Sequence, residues 1–404
     1  MQIRRVILSG VIIIFAWVAA DAQSGIYDAV LRSQALRKSG NASGAVEIVS
    51  KVIISNPDYR LYNEMGEGYL ILENYTDAKK CFNDASDIMP ASGSFGLARV
   101  YAATGNKTES LKYLRENLAS AFRMEEKVYH LDPYLGRIEN SREWMDFWSK
   151  DPFTDAEKLL AEVMYQIGLG RIKDAARIID ESRQQLGSDP EFIYSEAMVK
   201  FADGLYPEVV GMLKSLPPGN VTAGMREVLL ADALLAMGDY SASLAGYSRM
   251  IEAEYPDPRM FLGRARSYLG LTEYGKSLND IDYYISIYPD DVQAIGLAGS
   301  VAAASGEINR SLVYMNRAIE IDPNLRNSYA VRGDIWSSAG MWNNAVSDYS
   351  MALDLDPADG NIYFSKGVAL IKLGKTEQAC FDFRMALRYG NRKASEMINI
   401  HCIK

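Results

Sequence analysis

The sequence is poor in the residues that build metal and redox sites, since its 404 residues include two His and three Cys. A His-rich zinc site is therefore excluded, an all-carboxylate site is the one kind left open, and we predict no metal and no cofactor. Basic residues are also outnumbered, with 43 Lys and Arg against 52 Asp and Glu, for a net charge of −9. Because nucleic-acid binding depends on clustered Lys and Arg, the composition predicts no nucleic-acid partner.

Familiar catalytic motifs are missing as well. The sequence contains no G-x-S-x-G, no glycine-rich phosphate loop, no H-E-x-x-H and no C-x-x-C. His130 and His401 stand alone, and the acidic residues are scattered without a pair that would serve as general acid and base. We therefore predict that the protein is not an enzyme.

Long apolar runs are absent after the first 22 residues. Arg4 and Arg5 precede an apolar run over residues 6–20, and Ala20-Asp21-Ala22 supplies the small residues of an A-x-A cleavage site. This order is typical of a secretory signal peptide. We predict cleavage after Ala22 and export to the periplasm or cell envelope, with no transmembrane segment in the mature chain. An uncleaved anchor helix is the alternative, which the shortness of the run disfavours.

From residue 156 onward the sequence repeats with a period of 34 residues. Counted from Ala156, position 15 is glycine in six units of seven. These residues are Gly170, Gly204, Gly238, Thr272, Gly306, Gly340 and Gly374. Glycine suits the residue just after a first helix, where the chain must enter a left-handed conformation. Repetition at this period indicates a stacked repeat architecture.

Three other positions predict how the two helices of each unit pack. In the last three units, position 8 is Gly299, Gly333 and Gly367, and position 20 is Ser311, Ala345 and Ala379. Position 24 is large, as in Met315, Tyr349 and Phe383. Small residues at positions 8 and 20 would let the two backbones approach, and we expect the large residue to fill the gap to the neighbouring unit.

The unit over residues 326–359 resembles the tetratricopeptide repeat. The residues that carry the resemblance are Tyr329, Gly333, Trp336, Gly340, Trp342, Ala345, Tyr349, Ala352 and Pro357. The resemblance extends over about ten units, and it implies an all-α fold, a right-handed α-α superhelix (solenoid) of helix pairs that binds other proteins. Together with the predicted signal peptide, it points to an exported protein of the bacterial cell envelope, and no family-wide active site exists to carry over.

The predicted domains follow from where the pattern holds. We expect a signal peptide (1–22), an N-terminal block of about three units (23–121), an irregular insert (122–155), a C-terminal block of seven units (156–393) and a capping helix (394–404). The insert is rich in aromatic residues, and its Asp132-Pro133-Tyr134-Leu135 resembles a segment that interrupts repeats in similar proteins. Its aromatic residues either cover the ends of the two blocks or form an exposed docking patch.

Two of the three cysteines could pair. Cys380 lies on the second helix of the last unit and Cys402 on the short helix after it. In an oxidising compartment such a pair can form a disulfide, which would fasten the capping helix to the last repeat. The alternative is two buried thiols. Cys81, next to Phe82, is expected to be a lone thiol of the core.

In the family that the sequence resembles, positions 2, 5, 9 and 12 of each unit line the concave groove. In units four to six these positions are strongly apolar, and they include Leu160, Met164, Ile167, Tyr194, Met198, Phe201, Met225, Val228 and Leu235. Methionine and aromatic side chains adapt well to a partner helix or an apolar peptide. We predict a partner-binding groove here, unless the insert or the N-terminal block fills it.

The predicted function is a non-catalytic scaffold or adaptor in the bacterial cell envelope that binds a partner helix or peptide in this groove. Its partners would be other proteins, with peripheral association to envelope complexes. The alternative is a regulatory or substrate-delivery subunit of an envelope enzyme or of a secretion or transport complex.

Overall fold

The computed structural model describes residues 25–216 and 223–402, and in these ranges the chain is helical and without strands. The predicted signal peptide, with its cleavage after Ala22, lies outside the described residues and stays a prediction. Within the described part, no helix combines the length and the apolar character that crossing a membrane requires.

The chain forms two compact units. The first ends at Met237 and also takes in Ser248–Pro258, and the second consists of Gly238–Tyr247 and the residues from Arg259 onward. The prediction of an all-α fold of stacked helix pairs is confirmed in each unit. The finer division into blocks of three and seven units, an insert and a cap stays a prediction.

The helices of the first unit follow one another with short connections. They are α1 (25–38), α2 (Ala42–Ile53), α3 (Tyr59–Ile71), α4 (Tyr75–Ile88), α5 (Ser94–Ala103), α6 (Lys107–Leu118), α7 (Glu126–Leu131), a 3₁₀ turn (Leu135–Arg137), α8 (Arg142–Trp148), α9 (Asp155–Gly168), α10 (Ile172–Leu186), α11 (Pro190–Ala202), α12 (Tyr206–Ser215) and α13 (Ala223–Ala236). Helix α14 (Tyr240–Glu252) is divided between the two units.

The second unit continues the same arrangement. Its helices are α15 (Arg259–Gly270), α16 (Tyr274–Ile287), α17 (Val292–Ala304), α18 (Ile308–Ile321), α19 (Arg326–Ser338), α20 (Trp342–Leu355), α21 (Gly360–Lys372), α22 (Thr376–Arg388) and α23 (Ala394–His401).

The residue at position 15 has a left-handed backbone conformation in all seven 34-residue repeats that begin at Ala156. The six glycines have φ between +72° and +82°, and Thr272 adopts φ +61°. The next residue closes the helix end: the backbone N–H of Glu307 donates to the carbonyl of Ala302 at 2.9 Å. Such a bond satisfies a carbonyl at the end of the first helix, so the position-15 residue ends that helix and starts the turn.

The two helices of one repeat approach each other closely at positions 8 and 20. The Ser277 hydroxyl donates to the carbonyl of Ala265 at 2.8 Å, and the Ser311 hydroxyl donates to that of Gly299 at 2.7 Å. The large residue at position 24 lies against position 8 of its own repeat, since a Cβ on Gly333, for example, would lie 2.7 Å from the ring of Tyr349. As predicted, it can also reach the next repeat, since a Cβ on Gly263 would lie 2.3 Å from the ring of Tyr247.

The second unit also contains an ion pair between positions 7 and 23 that sequence reasoning missed. Arg264 binds Asp280 through two hydrogen bonds of 2.7 Å, and Arg332 binds Asp348 through bonds of 2.7 and 2.8 Å. In the last repeat the pair is Lys366 and Asp382 at 3.4 Å, and the carboxylate is almost fully buried. Burial raises the pKa of Asp382 above its usual value, while Lys366 opposes the rise.

The insert is held in the core of the first unit by its aromatic residues. Tyr129, Trp144 and Phe153 are buried and share a cluster with Phe95 and Leu114. The Tyr129 hydroxyl donates to the Asn117 side chain at 2.6 Å and accepts from the backbone N–H of Met124 at 2.9 Å. These side chains therefore act as core residues and do not form an exposed patch.

The C-terminal helix is joined to the last repeat covalently. Cys380 and Cys402 form a disulfide with their Cα atoms 5.6 Å apart. Met397 and Ile398 of α23 pack beside the core residue Phe383. Cys81 is a buried free thiol, and burial raises its pKa to about 12.

Candidate protein-binding groove of the first unit

The predicted groove residues come together where the first helices of three consecutive repeats, α9, α11 and α13, succeed one another. Leu160 and Tyr194 are buried in one apolar cluster. The partly buried residues that pack against this cluster include Met164, Met198, Phe201 and Met225, and Val228 is half-buried. The structure thus brings six of the predicted side chains to one wall, whereas Ile167 packs against a separate cluster. The role of the wall in binding stays a prediction.

Tyr194 is a core residue of this wall. Its side chain is 4% exposed, and its hydroxyl donates to the backbone carbonyl of Met225 at 3.4 Å. Burial raises the pKa of the phenol above its usual value. An acidic substitution at Tyr194 would bury a charge and disturb folding, so it would be a poor test of partner binding.

The insert lies opposite part of the wall and leaves a cavity of about 480 Å³ between them. The insert side consists of residues 123–128, with Phe153 just before α9. The repeat side consists of Glu157, Leu160, Ala161, Glu191 and Met225. The insert thus borders the groove here without filling it. The sequence had left open whether the groove is accessible or filled, and the structure lies between these two possibilities.

Arg123 fixes one edge of this cavity. Its guanidinium donates to the carbonyl of Pro152 at 2.8 Å and to the Glu157 carboxylate at 3.2 Å, and it lies 4.5 Å from the centre of the Phe153 ring. Glu157 also accepts from the backbone N–H of Thr154, in the capping box that begins α9. The start of α9 and the insert are therefore held together by the same carboxylate.

The cavity lining is acidic on balance, with four glutamates against Arg123 and Lys127. Both basic groups are already paired, Arg123 with Glu157 and Lys127 with Glu125 at 2.7 Å. Glu126 lies 3.9 Å from His130 and within electrostatic reach of Lys158, whose own ion pair is with Asp151. Glu191 has no cationic partner among the described residues. The cavity therefore combines an apolar floor with two carboxylates that form no ion pair with a described Lys or Arg.

A second charged network fastens the insert to the N-terminal repeats. Arg99 is nearly buried, with Glu67 at 2.5 Å and Asp132 at 2.8 Å, and it lies 5.2 Å from the ring centres of both Phe95 and Tyr134. The Tyr134 hydroxyl also donates to a backbone carbonyl at the end of α3. The segment that precedes the 3₁₀ turn is thereby positioned on α3 and α5, and the insert is part of the scaffold.

Family models described as tetratricopeptide repeat match residues 228–292 and 360–389. The chain contains tetratricopeptide repeats. These repeats are scaffolds for protein–protein interaction, and this coarse function applies to the chain. No curated protein matches the chain closely enough to count as a relative.

Solved structures resemble the tetratricopeptide repeat array at low sequence identity. A chain of the APC/C hetero-tetramer Cut9-Hcn1 has a TM-score of 0.51 and 11% identity over 92% of this chain and 89% of its own. A tetratricopeptide repeat protein from Parabacteroides merdae ATCC 43184 has a TM-score of 0.47 and 17% identity over 61% and 99%. YrrB, described as a TPR protein with an unusual peptide-binding site, has a TM-score of 0.37 and 15% identity over 48% and 97%.

Proposed function

We propose that this tetratricopeptide repeat protein is a non-catalytic scaffold of the bacterial cell envelope that binds a helix or peptide of a partner protein. The binding site is the groove of the first unit, between the wall formed by α9, α11 and α13 and the insert. The predicted signal peptide supports export. The repeat fold and the lack of catalytic motifs in the sequence support a role in binding.

One observation carries the proposal: the cavity in which Leu160 and Met225 of the wall meet the insert. Its volume of about 480 Å³ lies within the range of roughly 300–1,000 Å³ that is typical of ligand pockets. Its lining mixes apolar and charged side chains, which is the composition that gives a binding pocket both affinity and orientation.

Site-specific photo-crosslinking in cells tests the binding site. A photoreactive amino acid is placed at Met225, which lines the cavity, and at Glu181, an exposed residue of α10, as the control. We expect one discrete crosslinked partner at Met225 and none at Glu181. Equal crosslinking at both positions would contradict a groove-specific site.

The same sample tests the cellular role. Intact mass of the protein recovered from the envelope fraction should show that the chain begins at Gln23. A chain that keeps residues 1–22 and stays in the cytoplasm would contradict export. An enzyme crosslinked at equal stoichiometry would favour the alternative, a regulatory or substrate-delivery subunit.

A further inference from the structure

The charges around the cavity indicate the chemistry of its occupant. Glu191, at the start of α11, is half-buried and lines the cavity, yet no described cation neutralises it. A carboxylate that is partly removed from water loses hydration, and an opposite charge brought next to it restores the lost stabilisation. Glu126 adds a second carboxylate, which lies 3.9 Å from His130 and within electrostatic reach of Lys158, whose own ion pair is with Asp151. Together they favour a cationic group over an anionic or neutral one.

The apolar floor adds a second requirement. Phe153 and Leu160 are buried residues of the cavity lining, and Met225, which also lines the cavity, is half-buried. Burying apolar side chains against such a floor is favourable at about 25 cal/mol per Å². A small inorganic cation would leave this floor uncovered, and the cavity is large enough for more than one side chain.

We propose that the cavity binds a peptide segment of the partner in which a Lys or Arg lies next to a large apolar residue. The apolar side chain covers Phe153 and Leu160, and the basic group pairs with Glu191. This inference rests on the proposed function, because it assumes that a partner segment enters the groove of the first unit.

Phage display of random dodecapeptides on the purified chain tests the inference. We expect enriched sequences to carry Lys or Arg within three residues of a leucine, isoleucine, methionine or aromatic residue. A synthetic, fluorescently labelled copy of the most enriched peptide then serves as the probe for affinity. We expect Glu191→Gln to weaken its binding about tenfold, the weight of one charge-assisted hydrogen bond. Added salt should weaken binding to the unmodified chain more than binding to Glu191→Gln.

Two further variants separate the possible failures. Glu139→Gln, at an exposed glutamate of the insert outside the cavity, is the matched control and should bind like the unmodified chain. Ala161→Phe fills the cavity without changing its charge and should abolish binding. If Ala161→Phe abolished peptide binding and Glu191→Gln did not weaken it, the groove would be confirmed as the binding site. The inference that the partner segment is basic would be overturned. Enrichment of acidic peptides, or of none, would overturn the inference directly, and binding unchanged by either variant would overturn the groove as well.

Discussion

Thr272 adopts a backbone conformation that glycine adopts at the same position of the other repeats. Its φ of +61° places the backbone in the left-handed region, which costs about 1–2 kcal/mol for an L-residue. The side chain is exposed, so little packing offsets this cost. We expect Thr272→Gly to raise the free energy of unfolding by about 0.5–1 kcal/mol, because the greater freedom of glycine in the unfolded chain cancels part of the gain. Thermal and urea unfolding measure the effect.

The reverse substitution is the control for Thr272. Gly306→Thr, at the same position of the next repeat, should lower the free energy of unfolding by about 1 kcal/mol. Two changes of the same sign would mean that contacts of the side chain, and not the backbone conformation, decide stability at this position.

Lys366 is a weaker partner for its buried carboxylate than the arginines at the same position of other repeats. One oxygen of Asp382 has no hydrogen-bond partner, while Arg264 and Arg332 bind both oxygens of their aspartates. We expect Lys366→Arg to add the missing bond, to lower the pKa of Asp382 and to raise stability at pH 7 by about 0.5–1.5 kcal/mol. Lys372→Arg, on the exposed side of the same helix, should change nothing.

The pH dependence of this effect has a definite sign. Folding raises the pKa of Asp382 above its ordinary 3.8, so folding favours the protonated form. The stability that this group contributes is present below pH 3.8 and is lost as pH rises through the folded value. A variant that lowers the folded pKa should therefore gain stability at pH 7 and little at pH 3. NMR titration of the Asp382 carboxyl with unfolding at both pH values checks this, and an equal gain at pH 3 would contradict it.

At the residue scale, conformational requirements could be predicted and charge pairing could not. Glycine at position 15 repeats in the sequence because only the backbone conformation matters there. The partners at positions 7 and 23 are 16 residues apart, and in the sequence each resembles an ordinary surface charge. Their pairing depends on how closely the two helices approach, which is a property of the folded structure. The unneutralised Glu191 was missed for the same reason.

A helix pair is the element in which close packing can be tested. Gly333→Ala would place a Cβ 2.7 Å from the Tyr349 ring, whereas Gly296→Ala, also within a helix of the second unit, has its nearest neighbour at 4.0 Å. We expect the first variant to lose about 1–3 kcal/mol through overpacking and the second to gain about 0.5–1 kcal/mol through helix propensity. Urea unfolding of both variants measures the difference, and equal effects would mean that the ring moves aside freely.

Helix α23 is attached to the last repeat both by the disulfide and by apolar contacts. Closing a loop of 22 residues stabilises a fold by about 3 kcal/mol in the chain-entropy model. We expect Cys402→Ser to increase hydrogen exchange in residues 394–402 strongly and in α21 and α22 weakly, because a repeat contacts mainly its neighbours. Cys81→Ser would remove no disulfide, since the thiol of Cys81 is buried and unpaired. Unchanged exchange in α23 would show that its apolar contacts suffice.

At the element scale, the repeated helices could be predicted and the insert could not. Positions 2, 5, 9 and 12 of the repeat placed the wall residues on first helices, because periodic sequence predicts periodic structure. The insert has no period, and its path depends on particular contacts such as those of Arg99 and Tyr129. The sequence therefore left open whether it covers the groove, and the cavity between residues 123–128 and the wall emerged from the structure alone.

At the scale of the molecule, the first unit differs from an open stack in which each repeat contacts only its neighbours. The Tyr27 hydroxyl, on α1, donates to the backbone carbonyl of Tyr255 at 2.7 Å, 228 residues further along the chain. Close by, the guanidinium of Arg60 pairs with the carboxylate of Glu254. The beginning and the end of this unit are thus in direct contact, and the repeats between them are constrained from both ends.

This contact predicts long-range coupling that an open stack would lack. We expect Tyr27→Phe to lower the free energy of unfolding by about 1 kcal/mol and to increase hydrogen exchange over residues 250–258 as well as in α1. Tyr62→Phe, at a half-buried tyrosine of α3 whose hydroxyl has no hydrogen bond in the described structure, is the control. If exchange rose only in α1 and α2, the hydrogen bond between Tyr27 and Tyr255 would not couple the two ends of the unit. If it rose in both places, the contact would couple the beginning of the first unit to its end, because losing one hydrogen bond would loosen two segments that are 228 residues apart in the chain.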